Sequence, residues 1–529
     1  VLTRERYDVL IIGAGAAGAA AAWRLSARGA RVVCLEQGDW VSPGSFPSAT
    51  PTYEASLVRG DFHLDPNVRK RPEDYPVTTA GEDPPSIMMF NAVGGSTIHW
   101  QAHFPRLRPS DFRVGSLDGV ADDWPIAYED LDGYYDLNDR MMGVSGLAGD
   151  PANPPRPPRQ TPPLPLGSLG RTLVGGFEAM DWHWWVSDQA IISEPFDGRP
   201  PCELHGKCMF GCPIGAKASV DRTYWPKALT MGAELRTRSR VREVTVGRDG
   251  RVTGAVYFDR DGSLQEVSAR IVIVCCNGIG TARLLLNSRS ILFPEGLANG
   301  SGLVGKHFMI HPTRFIQGIF EETLDGHIGP MGNPLYSQEF YETDASRGFA
   351  RGYTLIAERT FGPLAHAFGV PWGEEHHAAM KSILPHAAGV TLLCDDLPEA
   401  TNRVELDPEV TDSDGIPAAR AVYTLSENSR NMLEHGAARA AEVLRAAGAV
   451  EVLDPGNSNM AHLLGTARMG SDPDRSVVNA WNQAHEVPNL FVVDGSSFTT
   501  GGGVNPTSTI GALALRAADG IWDRRSEWI

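Results

Sequence analysis

The chain has 529 residues, 42% of them hydrophobic, so it exceeds one ordinary core and is expected to fold as two intertwined domains. With 47 Lys and Arg against 64 Asp and Glu, the formal net charge of −17 argues against nucleic acid or an anionic membrane as a partner. No apolar run reaches the roughly 18 residues needed to span a bilayer. The seven cysteines form an odd set without the spacing of a disulfide framework, which suits a reducing compartment. Val1 to Tyr7 runs straight into an apolar segment and leaves no room for a signal peptide within this sequence, a leader already removed staying open, and a cytoplasmic location is expected. The periplasm is the alternative, should the chain be exported with a partner.

In chain order, the first element is Val9-Leu10-Ile11-Ile12, an apolar run that predicts a buried parallel strand. It breaks at Gly13-Ala14-Gly15-Ala16-Ala17-Gly18. Gly13 suits a tight turn, Gly15 lets the backbone approach a pyrophosphate, and Gly18 lets the next helix pack closely. Ala-rich residues 16–24 predict that helix, whose N-terminus offers its positive dipole end to phosphates. A second strand, Ala30 to Leu35, ends at Glu36, an acid placed to accept from a ribose 2′-hydroxyl and to disfavour the extra phosphate of NADP. Strand, glycines, helix, strand and acid in this order predict a dinucleotide site.

Residues 41–90 are Pro- and Ser-rich and read as a long surface excursion. Between Pro151 and Pro165, eight of fifteen positions are proline, which forbids helix and favours an extended strap within 111–199. Residues 240–275 read as a β-meander, with a turn at Asp249-Gly250 and a third strand reaching Cys276. Residues 312–454 alternate strand-like runs with Gly/Pro loops, carry one helix near 428–447, and form the expected substrate domain. Within it, the Gly- and Pro-rich run 327–373 is expected either as a substrate lid or as an ordinary flexible insertion.

Four further segments complete the pattern. They are Gly94-Gly95-Ser96-Thr97-Ile98-His99-Trp100, Gly278-Ile279-Gly280-Thr281, His462-Leu463-Leu464-Gly465-Thr466-Ala467-Arg468-Met469-Gly470, and Asp494-Gly495 followed by Asn505-Pro506-Thr507. Together with the opening motif they resemble the glucose–methanol–choline (GMC) oxidoreductase family over nearly the whole length. The resemblance implies an α/β fold (α+β mixed) with a discontinuous Rossmann-like FAD-binding domain from 1–110, 200–311 and 455–529, and a substrate domain built on an antiparallel sheet. It implies FAD held by Gly13, Gly15, Ala16, Gly18 and Glu36, by Gly94, Gly95, Ser96, His99 and Trp100, by Val241 and Gly278, and by Asp494, Gly495, Asn505, Pro506 and Thr507. In the fungal pyranose oxidases a histidine before Trp carries the flavin covalently, so His99 is either an attachment point or a packed neighbour.

The resemblance also implies His462 as the base. Alcohol oxidation removes a hydroxyl proton and a carbon-bound hydride, and an imidazole titrates near neutrality. Asn505 would bond the same hydroxyl and orient it without competing for the proton. Because Pro506 suits a helix start, Asn505 is further expected to cap the final helix and direct its positive end at the flavin ring. The His/Asn pair is most similar to pyranose oxidases and bacterial glycoside 3-oxidases and dehydrogenases. It implies oxidation of a secondary ring hydroxyl, at C2 or C3, of a sugar or glycoside, with oxygen, a quinone or an electron-transfer subunit as acceptor.

Cys202, Cys208 and Cys212 have the spacing by which FAD sugar dehydrogenase subunits hold a [3Fe-4S] cluster, yet the same stretch recurs in family members without one. A cluster and a packed loop of free thiols both remain open. Trp182-His183-Trp184-Trp185 reads as a sugar-stacking wall, a buried aromatic cluster or a partner surface, and Glu374-Glu375-His376-His377 as a solvated loop rather than a metal site. The rival functions are a dehydrogenase subunit passing electrons through that cluster to a haem or quinone partner, an alcohol oxidase or lyase on a non-sugar substrate, and a flavin-binding scaffold.

Overall fold

A computed structural model describes residues 6–56, 60, 62–330, 332–360, 362–458 and 462–528. Its centre is a sheet whose strands run in the order Glu234–Arg236, Val32–Leu35, Arg6–Ile12, Leu264–Val274, Val252–Phe258 and Arg240–Val246. The first four are parallel, with Val9 opposite Val32 and Ile12 opposite Val274. Leu264–Val274 does two jobs along its length. Its first half pairs antiparallel with Val252–Phe258, and its last residues pair in parallel with Leu490–Val492. The apolar opening run sits at the middle because Val9, Leu10 and Ile11 are wholly buried, each worth about 1.5–3 kcal/mol relative to exposure.

The helix Ala16–Ala27 covers one face and packs on the C-terminal helix Thr507–Asp523. Arg24 locks the two together with a bidentate pair to Asp519 at 2.8 and 2.7 Å. The chain's two ends thus form one layer.

A second sheet is antiparallel, in the order Glu451–Leu453, Thr313–Ile319, Ala387–Cys394, Tyr353–Glu358, Leu335–Ser337 and Trp185–Val186. The helix Glu427–Ala446 lies on it, started by Ser426, whose hydroxyl accepts from Ser429 N at 3.0 Å. Its buried face is Met432, Leu433, Gly436, Ala437, Ala440, Val443 and Leu444, the i, i+3, i+4 spacing of a helix on a sheet. Gly436 lets the helix approach closely: a Cβ there would stand 2.2 Å from Leu392 Cδ2, and the leucine would have to shift.

The run 327–373 is not a continuous lid. It supplies two strands of this sheet, and all of Tyr353–Glu358 is buried, so its glycines and prolines largely punctuate turns between core strands. Residues 331 and 361 of that run lie outside the described residues. Segment 111–199 contains, beside its irregular Pro-rich stretch, the helices Glu129–Met142 and Gly167–Ala179. The excursion 41–90 returns to add Val77–Ala80 to a small sheet with Pro417–Val422 and Arg403–Thr411. Among the described residues, no helix is long and apolar enough to cross a membrane.

Candidate active site

One long cavity of about 380 Å³ runs from the end of the first strand to the face of the second sheet. Gly13, Gly15, Ala16, Glu36, Gly95, Ser96, His99, Trp100, Val241, His462, Asp494, Gly495, Asn505, Pro506 and Thr507 all line it. The glycines of the first turn divide the work. A Cβ on Gly13 would stand 2.5 Å from the Cys275 carbonyl, and one on Gly18 would stand 1.9 Å from the Gly13 carbonyl. Gly15 has no atom within 4 Å of the position its Cβ would take, so the turn leaves open space on the cavity side. Glu36 closes the turn by accepting from Ala14 N and Gly38 N, each at 2.8 Å. Burial pushes its carboxyl up, and these backbone donors oppose that shift.

Gly18, Gly94 and Gly278, expected to touch the cofactor, do not line the cavity. They are close-approach positions instead. A Cβ on Gly94, whose φ is +105°, would stand 3.0 Å from Asp221 Oδ1, and one on Gly278 would stand 2.6 Å from the Leu463 carbonyl carbon. Gly278 thereby clamps the chain beside His462. Its N–H donates to the Leu463 carbonyl at 3.2 Å, while Leu464 and Met309 exchange two bonds of 3.1 Å. Thr466 donates to the Gly278 carbonyl at 2.6 Å, and Gly465 passes under the His307 carbonyl, where a Cβ would stand at 2.2 Å. Asp494 ties the same region together, accepting from Asn277 N at 2.8 Å and from Thr281 Oγ1 at 2.6 Å.

The end of the cavity at His462 and Asn505 carries two further histidines that no motif announced. His311 Nδ1 lies 2.8 Å from His462 Nδ1, and His311 Nε2 lies 2.6 Å from the Gly502 carbonyl. The carbonyl can only accept, so His311 carries its proton on Nε2. Its Nδ1 must then accept from His462 Nδ1–H, which leaves the lone pair of His462 on Nε2. Across the site, His103 Nδ1 is 2.8 Å from Asn505 Oδ1. That oxygen accepts, so His103 donates from Nδ1 and keeps a lone pair on Nε2, which is buried without a partner. Burial drives His311 and His103 each down to about 4. Burial, reinforced by those two neighbouring rings, holds His462 well below the usual imidazole range. All three rings are neutral near pH 7.

The helix Thr507–Asp523 starts after Pro506 and has no side-chain cap. Asn505 does not cap it, because the Asn505 amide oxygen is taken by His103. The helix N-terminus still opens on the cavity through Pro506 and Thr507. His99 stacks on Phe62 at 3.9 Å and meets Phe90 edge-on at 4.4 Å, with Nε2 buried and unpartnered. The tryptophans of 182–185 do not line the cavity. Trp182 packs edge-on against Phe340 at 4.8 Å, and His183 bonds Asp150 at 2.9 Å. Cys202, Cys208 and Cys212 together line a separate cavity of about 30 Å³, and burial pushes the Cys202 thiol up to about 12. Among the described residues, no group of three or more His, Cys, Asp or Glu side chains is set to hold a metal ion. His376 stacks on Trp372 at 4.7 Å and starts a helix, His376–Ile383, that has no buried residue.

Family models of GMC oxidoreductases match residues 191–313 and 398–514, and a model of FAD dependent oxidoreductases matches residues 8–62. The chain is 45% identical to 2-methyl-1,2-propanediol dehydrogenase of Mycolicibacterium austroafricanum, over 99% of this chain and 96% of that one. The chain belongs to the GMC oxidoreductase family. Another GMC relative, 6'''-hydroxyparomomycin C oxidase of Streptomyces lividus, is 31% identical over 97% of this chain and 91% of that one. Pyridoxine 4-oxidase from Mesorbium loti shares the fold, with a TM-score of 0.68 at 16% identity over 97% of this chain and 99% of that one.

The GMC chain is an FAD-dependent oxidoreductase acting on CH–OH groups. FAD fits the residues present. The open space at Gly15 and the helix start at Ala16 suit a pyrophosphate, and Glu36 has spare lone pairs for a ribose hydroxyl. The unpartnered His99 and His103 nitrogens line the same cavity.

Proposed function

We propose that the protein oxidises one carbinol carbon of a small diol or polyol to a carbonyl. When bound, FAD supplies the acceptor for the hydride that leaves carbon. The hydroxyl proton goes to His462 Nε2, the nitrogen left basic by the bond from Nδ1 to His311. Asn505, with Oδ1 engaged by His103, has its Nδ2 hydrogens free to hold the same oxygen as it gains negative charge. The observation that carries the reading is the fixed pair of His462 and Asn505 on one cavity with Gly15 and Glu36. The diol class is supported by the relative at 45% identity, whose named substrate has only one carbinol bearing hydrogen, a primary one.

A second reading, oxidation at C2 or C3 of a sugar ring, is supported by the polar side chains Gln101, Thr313, Asn333, Glu358 and Thr391 on the cavity wall. The acceptor is oxygen, a quinone or an electron-transfer subunit. The seven cysteines, all free thiols, support a cytoplasmic location.

The test is anaerobic mixing of the yellow enzyme with diols, polyols, monosaccharides and glycosides. Bleaching by diols with an aldehyde product supports the first reading, and bleaching by sugars with a ketosugar product supports the second. No bleaching by any alcohol refutes both. Re-oxidation by air against a quinone analogue then assigns the acceptor.

A further inference from the structure

The second sheet presents an acid to the cavity that alcohol oxidation does not itself require. Tyr353–Glu358 pairs with Ala387–Cys394, Ile356 standing opposite Thr391, and Leu393 stands opposite Thr313 on the next strand. Since alternate residues of a strand share a face, Ile356, Glu358, Thr391, Leu393 and Thr313 form one wall, and all five line the cavity. Glu358 is 7% exposed. Its partners are Gln101 Nε2, which donates to Oε1 at 2.8 Å, and the Thr391 hydroxyl, which donates to Oε2. No ion pair with Glu358 occurs among the described residues. Two polar donors fill half of the four acceptor positions of a carboxylate.

Burying an acid without a cation is costly, and packing alone would favour an apolar residue here, as at Ile356 and Leu393. A second acceptor lies on the same cavity. Asn333, 4% exposed, has its Oδ1 buried with no partner. The acid is tied to the reactive end through one short segment, because Gln101 holds Glu358 and His103, two residues later, holds Asn505.

We propose that Glu358, assisted by Asn333, anchors a second hydrogen-bond donor of the substrate, a hydroxyl or an ammonium, away from the carbon being oxidised. The anchor makes the enzyme select alcohols that carry such a donor over monohydric alcohols of the same skeleton. It rests on the alcohol-oxidising reading of His462 and Asn505 and adds the side chains that select the substrate's second donor. Ile356 and Leu393 on the same wall offer apolar contact to a short carbon chain.

The experiment compares wild type with Glu358→Gln, both as FAD-loaded enzyme, by anaerobic flavin reduction. The substrates are 2-methyl-1,2-propanediol, 2-amino-2-methyl-1-propanol and 2-methyl-1-propanol, and then 1,3-butanediol against 1-butanol. Wild type is expected to prefer at least one donor-bearing alcohol over its monohydric partner, by about ten- to a hundredfold in kcat/KM. In Glu358→Gln that preference is expected to collapse, chiefly through KM, with the flavin spectrum unchanged. Loss of preference for the diol identifies a hydroxyl as the donor, and loss for the amino alcohol identifies an ammonium. An unchanged preference in Glu358→Gln, or no preference for any donor-bearing alcohol in wild type, overturns the anchor while leaving alcohol oxidation standing. Failure of wild type to be reduced by any alcohol overturns both.

Discussion

Replacing His311 tests the proton route. In His311→Leu, His462 Nδ1 loses its acceptor and the buried Gly502 carbonyl loses its donor, both formerly bonded within 2.8 Å. The unpaired groups cost about 1–3 kcal/mol of stability. The catalytic loss has a separate origin. Without the acceptor, His462 no longer has to carry its proton on Nδ1, and any molecule with the proton on Nε2 cannot accept from the substrate. A positioned general base is worth about 10²–10⁴ in rate, so a base held in the wrong tautomer for most of the time costs about tenfold to a hundredfold in flavin reduction.

His311→Gln can accept from His462 with one amide atom and donate to Gly502 with the other, so it should recover much of the rate. Stopped-flow reduction across pH gives the second readout. His462 must be neutral to act, and burial and its two neighbouring rings hold it well below the usual imidazole range. Wild-type activity should therefore persist well below pH 6.5 before falling. In His311→Leu one of those rings is gone, and the acid limb should move to higher pH. Equal rates and identical acid limbs in wild type, His311→Leu and His311→Gln would refute the tautomer argument.

Glu36→Ala leaves Ala14 N and Gly38 N without their acceptor; retained FAD, read as the flavin-to-protein absorbance ratio after dialysis, should fall about tenfold or more. Gly278→Ala pushes a Cβ against the Leu463 backbone. It should destabilise the protein by about 1–3 kcal/mol in denaturant unfolding and also slow turnover, because His462 immediately precedes Leu463. Burial raises Asp396 to about 7 from an ordinary 3.8. Its raised folded-state value means that this group's stabilising contribution is full at low pH and is lost as pH rises through about 7. The change in melting temperature on Asp396→Asn should therefore be more favourable at pH 8 than at pH 5, and an equal change at both would count against it.

The first strand, its glycines and Glu36 were legible because their logic is local: an apolar run, a turn and an acid at fixed spacing. His462 and Asn505 were legible through the motifs around them. His311 and His103 were not, since each acts through a residue more than 150 or 400 positions away and no periodicity announces such a pair. The four-residue interval from His99 to His103 was the one available hint. Asn505 was misread as a cap because the sequence shows the proline after it but not the imidazole that competes for its oxygen. Glycines at 94 and 278 looked like cofactor contacts because a close approach to another backbone and a close approach to a ligand demand the same missing Cβ. The density of Gly and Pro over 327–373 likewise cannot distinguish a mobile flap from turns between buried strands.

The interleaving of the two ends has a biosynthetic consequence. Leu490–Val492 completes the parallel edge beside Val274, and Asn505 lies farther on, so the turn that greets a dinucleotide emerges from the ribosome well over 400 residues before the last parts of its pocket. A nascent chain therefore cannot trap its prosthetic group piecemeal. The pocket lining is complete only once the chain has been made through Ile510, and a product truncated ahead of residue 490 would leave the end of the strand Leu264–Val274 with a raw parallel edge, open to pairing with another chain.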